Sequence, residues 1–223
     1  MRLVVVPGAF RPRSDSWMLT QSLLDASPGD GAEVLDLCTG SGVLAIAAAR
    51  LGARATAVDV SRRSIVTVRL NALLNGVSRA VRAVRGDLFD AVPGRSFDTI
   101  VSNPPYVPSE SAELPSRGPS RAWEGGPDGR VVLDRIIDEA PARLRPGGRL
   151  LLVHSSLCGT EATLERLAAG GLEARVAQRR RGPLGPLMLA RVDDLERRGV
   201  LEPGQREEEV VVIEGRRGRV SAG

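Results

Sequence analysis

Apolar and polar positions along this chain follow two rhythms in turn. Short, mostly apolar runs at Glu33–Cys38, Ala55–Val60, Ala80–Gly86, Phe97–Ser102 and Arg149–Ser155 read as strands. Between most of them lie longer stretches with helical spacing: Val43–Leu51, Ser61–Asn75 and Val131–Arg143. Gly159–Ala169 adds a further helix, and Glu173–Arg180 and Glu209–Glu214 add two more strands. Ser61 is placed to cap its helix and Gly76 to stop it, while Pro146-Gly147-Gly148 marks the turn into the fifth strand. Apolar strands alternating with helices predict an α/β fold whose parallel sheet is covered on both faces.

Two segments break the alternation. Pro108–Gly129 carries four Pro, four Gly and four Ser and reads as a long loop directly after the fourth strand. Loops of that length inside a compact domain are usually functional or disordered. Pro183–Gln205 reads as an inserted turn and short helix before the last strand, and Arg216–Gly223 as a disordered tail. A chain of 223 residues is the size of one domain, here residues 1–215, with 1–32 as a segment preceding the first strand.

Composition removes whole classes of chemistry. With 42% hydrophobic and 26% charged residues the chain is globular. All 31 basic residues are Arg, which excludes reactions that use a Lys amine: phosphate-loop nucleotidase, Schiff-base and pyridoxal-phosphate chemistry. The single His, His154, argues against His-based metal centres and a His-centred triad, and no metal is expected. The net charge of +4 reads as a bias toward Arg rather than a nucleic-acid surface, with Arg179–Arg181 as a solvated strand end and Glu207–Glu209 as an exposed strand entry. The apolar N-terminal run is too short for a signal peptide, no run is long enough to span a membrane, and Cys38 and Cys158 fit reduced thiols, so a cytoplasmic protein is expected.

The first chemical motif is Asp36-Leu37-Cys38-Thr39-Gly40-Ser41-Gly42, a glycine turn between the first strand and the next helix. Gly40 and Gly42 let the backbone turn tightly beside a ligand, at the end of a helix whose free N–H groups point the same way. Gly40-x-Gly42-x-x-Ala45 also satisfies a dinucleotide fingerprint, so the turn alone does not separate NAD from other adenosine ligands. Asp59 ends the second strand, where a carboxylate accepts from ribose hydroxyls, and Asp87 ends the third. Three carboxylates along one crevice, Asp36, Asp59 and Asp87, suit a ligand with a sulfonium and an ammonium better than a pyrophosphate, which favours S-adenosylmethionine.

The second motif is Asn103-Pro104-Pro105-Tyr106 at the end of the fourth strand. The prolines remove backbone donors and hold the chain extended, so that the Asn103 side-chain oxygen and the Pro104 carbonyl face outward. Two such acceptors match a planar NH₂ group. Gripping both hydrogens aims the nitrogen and promotes its pyramidalisation for in-line attack on a methyl group. Tyr106 supplies a ring face against the flat acceptor.

Together these residues resemble a class I S-adenosylmethionine-dependent methyltransferase, and most of all the short glutamine methyltransferases that modify peptide release factors. The resemblance covers roughly residues 6–155. It rests on the order DLCTGSG, AVDVS, RGDLFD and NPPY, then Ala122 to Gly129 before a helix, with Pro12-Arg13-Ser14-Asp15-Ser16 as counterpart of an early family element. It implies a Rossmann-like doubly wound sheet of seven strands with the last antiparallel. It further implies that Asp36 and the Cys38–Gly42 backbone, including Thr39, hold the methionine end, Asp59 with Val60 the ribose, and Asp87 with Leu88 the adenine. Ser16 is implied to touch the cofactor, and Asn103 with Pro104 to hold the acceptor nitrogen.

Two departures stand out. Cys38 replaces the commoner Gly at the first turn position, and the helical substrate-recognition domain of longer bacterial relatives is missing, which puts recognition on 108–129, on 183–205 or on a partner. Short relatives use a small activating subunit. The acceptor expected here is a glutamine amide of a protein such as a release factor. Adenine amines of DNA or RNA and small-molecule amines are alternatives that keep the chemistry, and a silent S-adenosylmethionine-binding scaffold is one that does not. Six aromatics leave few side chains to furnish a base-stacking channel.

Overall fold

The computed structural model describes residues 1–219. In chain order the elements are α1 (Ser14–Ala26), β1 (Glu33–Leu37), α2 (Val43–Arg50), β2 (Arg54–Asp59), α3 (Arg62–Leu74), β3 (Val81–Arg85), β4 (Phe97–Ser102), α4 (Val131–Arg143), β5 (Leu144–Ser155), α5 (Thr160–Ala169), β6 (Leu172–Pro183), α6 (Pro186–Leu189), α7 (Val192–Arg197) and β7 (Glu207–Arg217). The strands form one seven-stranded sheet in the order β3-β2-β1-β4-β5-β7-β6. β1 to β5 pair in parallel, and β7 runs antiparallel between β5 and β6. This is the doubly wound, Rossmann-like α/β sheet expected, with its antiparallel last strand.

Side chains of the central strands divide with period two between two cores. Leu35 and Leu37, Ile100, Leu150 and Leu152, and Val211 and Ile213 face α4 and α5 through Leu133, Ile136, Ile137 and Leu167. Val34, Val101, Leu151 and Val153, and Val210 and Val212 face the other way, onto Leu19 and Leu23 of α1, Val43 and Leu44 of α2 and Val68 of α3. Strand order reverses between β1 and β4, the point at which open α/β sheets leave a crevice at the carboxyl ends of their strands.

Several boundaries differ from those read from the sequence, each for a local reason. Cys38 leaves β1 because it takes φ +56°, outside the strand region. β5 begins at Leu144 and absorbs the Pro146-Gly147-Gly148 turn as a bulge, since the pairing to β4 shifts register between Phe97 and Thr99. The antiparallel β6·β7 ribbon is longer than expected. It runs into Pro183 at one end, and at the other into Arg216 and Arg217, which had been assigned to the tail; the rest of that assignment beyond 219 lies outside the described residues. The ribbon also pairs the charge runs, Arg179 with Glu209 at 2.8 Å and Arg181 with Glu207 at 2.7 Å.

Segment 183–205 folds as two short helices whose Met188, Val192 and Leu195 form a small third core with Val107, Leu184 and Leu201. α1 was not anticipated at all. No helix among the described residues is long and apolar enough to cross a membrane.

Candidate active site

Two cavities open at the carboxyl ends of the parallel strands and share a wall. The larger, about 810 Å³, lies over β1, β2 and β3 and is lined by Cys38, Gly40, Asp59, Val60, Asp87 and Leu88, among others. The smaller, about 80 Å³, lies beside it and is lined by Asp15, Pro104, Tyr106 and Trp123, among others. Phe10, Asn103 and Ala122 line both. The extended motif feeds the two sides in alternation, with Pro105 toward the large cavity and Pro104 and Tyr106 toward the small one.

The glycine turn forms the near wall of the large cavity. Gly40 takes φ +54° and Gly42 φ +83°; a Cβ on Gly42 would stand 3.0 Å from Val68 of α3. Cys38 takes the same left-handed region with a side chain, as does Leu88 at φ +42°. Both line the cavity, and backbone strain of this kind persists where the surrounding structure holds a site in place. Burial, with Asp59 and Asp36 nearby, pushes the Cys38 thiol far up, so it stands there as a neutral group.

The three carboxylates play different parts. Asp59 accepts from Gly40 N at 2.9 Å through one oxygen and from Ser61 N at 2.8 Å through the other, which ties the turn to the end of β2. Burial raises it nonetheless, and each oxygen keeps a lone pair for a ligand hydroxyl. Asp87 lines the cavity in an ion pair with Arg135 of α4 at 2.9 Å. That pair is half exposed, and such pairs are worth about 0–1 kcal/mol, so a ligand can displace it.

Asp36 lies behind the cavity rather than in it. It is fully buried, one oxygen accepts from Thr39 Oγ at 2.5 Å and Ala45 N at 3.0 Å, and the other has no partner. Burial lifts it to about 7. Asp36, Thr39 and Gly42 therefore support the turn, whereas the sequence had them touching the ligand; the wall itself is Cys38 and Gly40.

Ser16 is displaced from its expected place in the same way. It lines neither cavity, and its hydroxyl accepts from the Asn103 amide at 3.0 Å. Beside it stands Asp15, which had no role in the sequence reading beyond its place in the early Pro12–Ser16 element. Asp15 accepts from Asn103 Nδ2 at 3.2 Å and from the Tyr106 hydroxyl at 2.8 Å. A carboxylate only accepts, so the Asn103 amino group must face it and the Asn103 carbonyl oxygen is left for the cavity. Burial and the neighbouring Asp15 raise Tyr106 well above its ordinary range, which keeps its hydroxyl proton in that bond.

The two irregular segments complete the walls. Pro115, Arg117 and Arg121 of the long loop cover the large cavity, while Trp123 and the start of α6 bound the small one. Arg191 and Glu124 join loop and insertion by an ion pair at 2.5 Å. His154 is buried, held near 4 by that burial, and lines neither cavity.

The residues present fit S-adenosylmethionine. The large cavity has the size of a small-molecule site, the Asp59 carboxylate on its wall, the strained Leu88 beside Asp87, and Asn103 on the wall leading to the second cavity.

Comparison with known proteins gives the family and the fold. Residues 12–115 match the family model "Methyltransferase small domain". A chain from Methanocaldococcus jannaschii, named provisionally as a protein N5-glutamine methyltransferase, is 34% identical over 190 residues, covering 85% of this chain and 93% of that one. The release factor glutamine methyltransferase of Gloeobacter violaceus is 37% identical over 177 residues, 76% of this chain and 61% of its own. The ribosomal protein uL3 glutamine methyltransferase of Bradyrhizobium diazoefficiens is 43% identical over 136 residues, 58% of this chain and 42% of its own. The match thus spans nearly the whole archaeal relative but only part of the two bacterial ones. In fold, the chain is similar to the E. cuniculi Mtq2–Trm112 complex, responsible for methylation of the eRF1 termination factor, with TM-score 0.62, 23% identity, and 95% and 99% of the two chains covered.

Proposed function

Because this chain belongs to the S-adenosylmethionine-dependent protein glutamine N-methyltransferases, we propose that it methylates the side-chain amide of a glutamine in a peptide release factor. The observation that carries this reading is Asn103, which lies on the wall common to both cavities with its amino group tied to Asp15 and Ser16. Its free carbonyl oxygen is an acceptor aimed where a planar NH₂ would meet the methyl donor.

When bound, S-adenosylmethionine supplies an electrophilic methyl group on a sulfonium. In this reading it occupies the large cavity, with Asp59 and Val60 at the ribose, Asp87 and Leu88 at the adenine, and the Cys38–Gly40 backbone at the methionine end. Asp36, Thr39 and Gly42 act one layer back by fixing the turn. In the small cavity Asn103 and the Pro104 carbonyl accept the two amide hydrogens. That grip withdraws the nitrogen lone pair from conjugation and aims it toward the large cavity, so that catalysis is positioning plus directed acceptors. Tyr106 packs its ring against the flat amide, held by Asp15. No general base is needed, because the nitrogen becomes strongly acidic once methylated and sheds its proton to solvent.

A release factor is preferred over a ribosomal protein because the similarity to the release-factor enzyme extends over more of this chain. Two free thiols, Cys38 and Cys158, support a cytoplasmic place for the reaction. Labelled methyl transfer to recombinant release factor, to ribosomal protein and to oligonucleotides tests the reading, with mass spectrometry to locate the label. Label on a release-factor glutamine is expected; label confined to nucleic acid would overturn it. Running the assay with the chain alone measures its dependence on a small activating subunit. Asn103→Ala should abolish turnover in a protein that still binds the cofactor.

A further inference from the structure

Two residues that line the small cavity each hold a polar atom for which the glutamine reading has no use. Trp123 Nε1, from the long loop, and Glu208 Oε2, from the start of β7, are both shut away from solvent and neither has a hydrogen-bond partner. Their side chains are held in place: Glu208 accepts from Gly185 N at 3.0 Å through its other oxygen, and Trp123 packs into the third core. Buried polar groups in folded proteins are nearly always paired, so a stranded donor and a stranded acceptor on two residues that line one cavity point to a ligand that brings the complementary acceptor and donor.

An indole N–H only donates and a carboxylate oxygen only accepts. The remaining wall around them is largely apolar, with Val107, Leu187 and Met188, and Asp15 adds a second carboxylate nearby while Arg13 is the one cation on the lining. A peptide unit offers one C=O and one N–H and carries no charge. A nucleic-acid strand would instead bring a phosphate toward two carboxylates.

We propose that Trp123 and Glu208 clamp the main chain of the protein substrate beside the acceptor residue, the indole donating to a carbonyl and Glu208 accepting from an N–H. This rests on the reading of a protein glutamine as acceptor, and it adds a requirement on the substrate. The cavity is small, about 80 Å³, and what these two groups would recognise beside the acceptor is backbone rather than side chain.

The test is steady-state methylation of a recombinant release factor by wild type, Trp123→Phe and Glu208→Gln. Phe keeps the ring and loses the N–H. Gln keeps the acceptor toward Gly185 and turns an amino group toward the cavity, where a donor would meet a donor. Each variant should raise KM for the protein about tenfold, the loss of one main-chain hydrogen bond, with the cofactor Kd and the melting temperature within error of wild type. If a variant melts early, a substrate-side arm replaces it: glutamine peptides from the same factor with each flanking N–H methylated in turn. One of those peptides should lose about tenfold with wild type relative to its unmethylated parent. Unchanged KM in both variants, or no loss with any of the N-methylated peptides, overturns the clamp and leaves glutamine transfer standing. Failure of wild type to label any glutamine overturns both.

Discussion

Asp15 provides the sharpest test of how this site is organised, because one carboxylate holds both Asn103, proposed to grip the acceptor, and Tyr106, proposed to pack against it. Its carboxylate takes the Tyr106 hydroxyl at 2.8 Å and the Asn103 amino group at 3.2 Å, in a site where Asp15 itself is 7% exposed. Hydrogen bonds to a charged group contribute about 1.5–3 kcal/mol each, and the longer of these two belongs at the weaker end. In Asp15→Ala both are lost. Ser16 still accepts from Asn103 at 3.0 Å, so the amide is not wholly free, and a net loss of about 2–3 kcal/mol in transition-state positioning is expected. That corresponds to roughly a 30- to 150-fold fall in kcat.

Asp15→Asn should cost less, about tenfold, since a carboxamide can still turn its oxygen to Asn103 and Tyr106 but is no longer charged. Asp15 lines only the small cavity, so the cofactor Kd, measured by calorimetry, should stay within twofold of wild type in both variants. Single-turnover label transfer separates chemistry from binding. A kcat for Asp15→Ala within threefold of wild type, in a preparation where Asn103→Ala is dead, would show that Asn103 needs no such anchor and refute the reasoning.

Other expectations follow from strain and burial. Cys38 sits at φ +56°; a left-handed L-residue costs about 1–2 kcal/mol and glycine costs about 0.5–1 in backbone entropy, so Cys38→Gly should gain up to about 1 kcal/mol, or about 2–4 °C in Tm. Cys38→Ala keeps the strain, and equal Tm values for the two variants would contradict this account. His154, lowered to about 4 by burial, contributes stability that is lost as pH falls from about 6.5 toward 4, whereas Asp36, raised to about 7 by burial, lets stability fall as pH rises from about 4 to 7. The two oppose each other, so His154→Gln should expose the Asp36 slope, with a urea midpoint higher at pH 5 than at pH 7; a midpoint lower at pH 5 would count against it.

The parts of the fold that were legible are those in which burial and periodicity agree. Val34, Leu35, Val101, Ile100, Leu151 and Leu152 are all buried, and a strand with both faces covered shows itself as an unbroken apolar run. Ser61 worked as a start signal because its hydroxyl does cap α3, accepting from Ser64 N at 3.4 Å. Strand ends were harder. The β6·β7 ribbon continues through Arg179–Arg181 and Glu207–Glu209, where pairing is maintained by cross-strand charges and the backbone ladder, neither of which leaves an apolar trace.

α1 shows why the site was only half legible. Leu19 and Leu23 point into the core, but the same buried side of the helix carries Asp15, Ser16, Thr20 and Ser22, and polar residues on a buried face cancel the periodicity that would announce a helix. Two of those polar residues are buried because they are spoken for: Asp15 and Ser16 hold Asn103, eighty-seven or more positions away in the chain. Asn103, Pro104 and Tyr106 could be read from sequence because the prolines give the motif its shape locally. Asp15 was visible only as part of the early Pro12–Ser16 element, with nothing local to say what it holds, since its contacts exist only once β4 and α1 are packed together. The same holds for Glu208 and Trp123, which meet on one cavity only after the loop at 108–129 and the insertion at 183–205 have folded against each other. Local conformation therefore predicts the groups that meet where the two cavities adjoin, and long-range packing supplies the groups that hold them there.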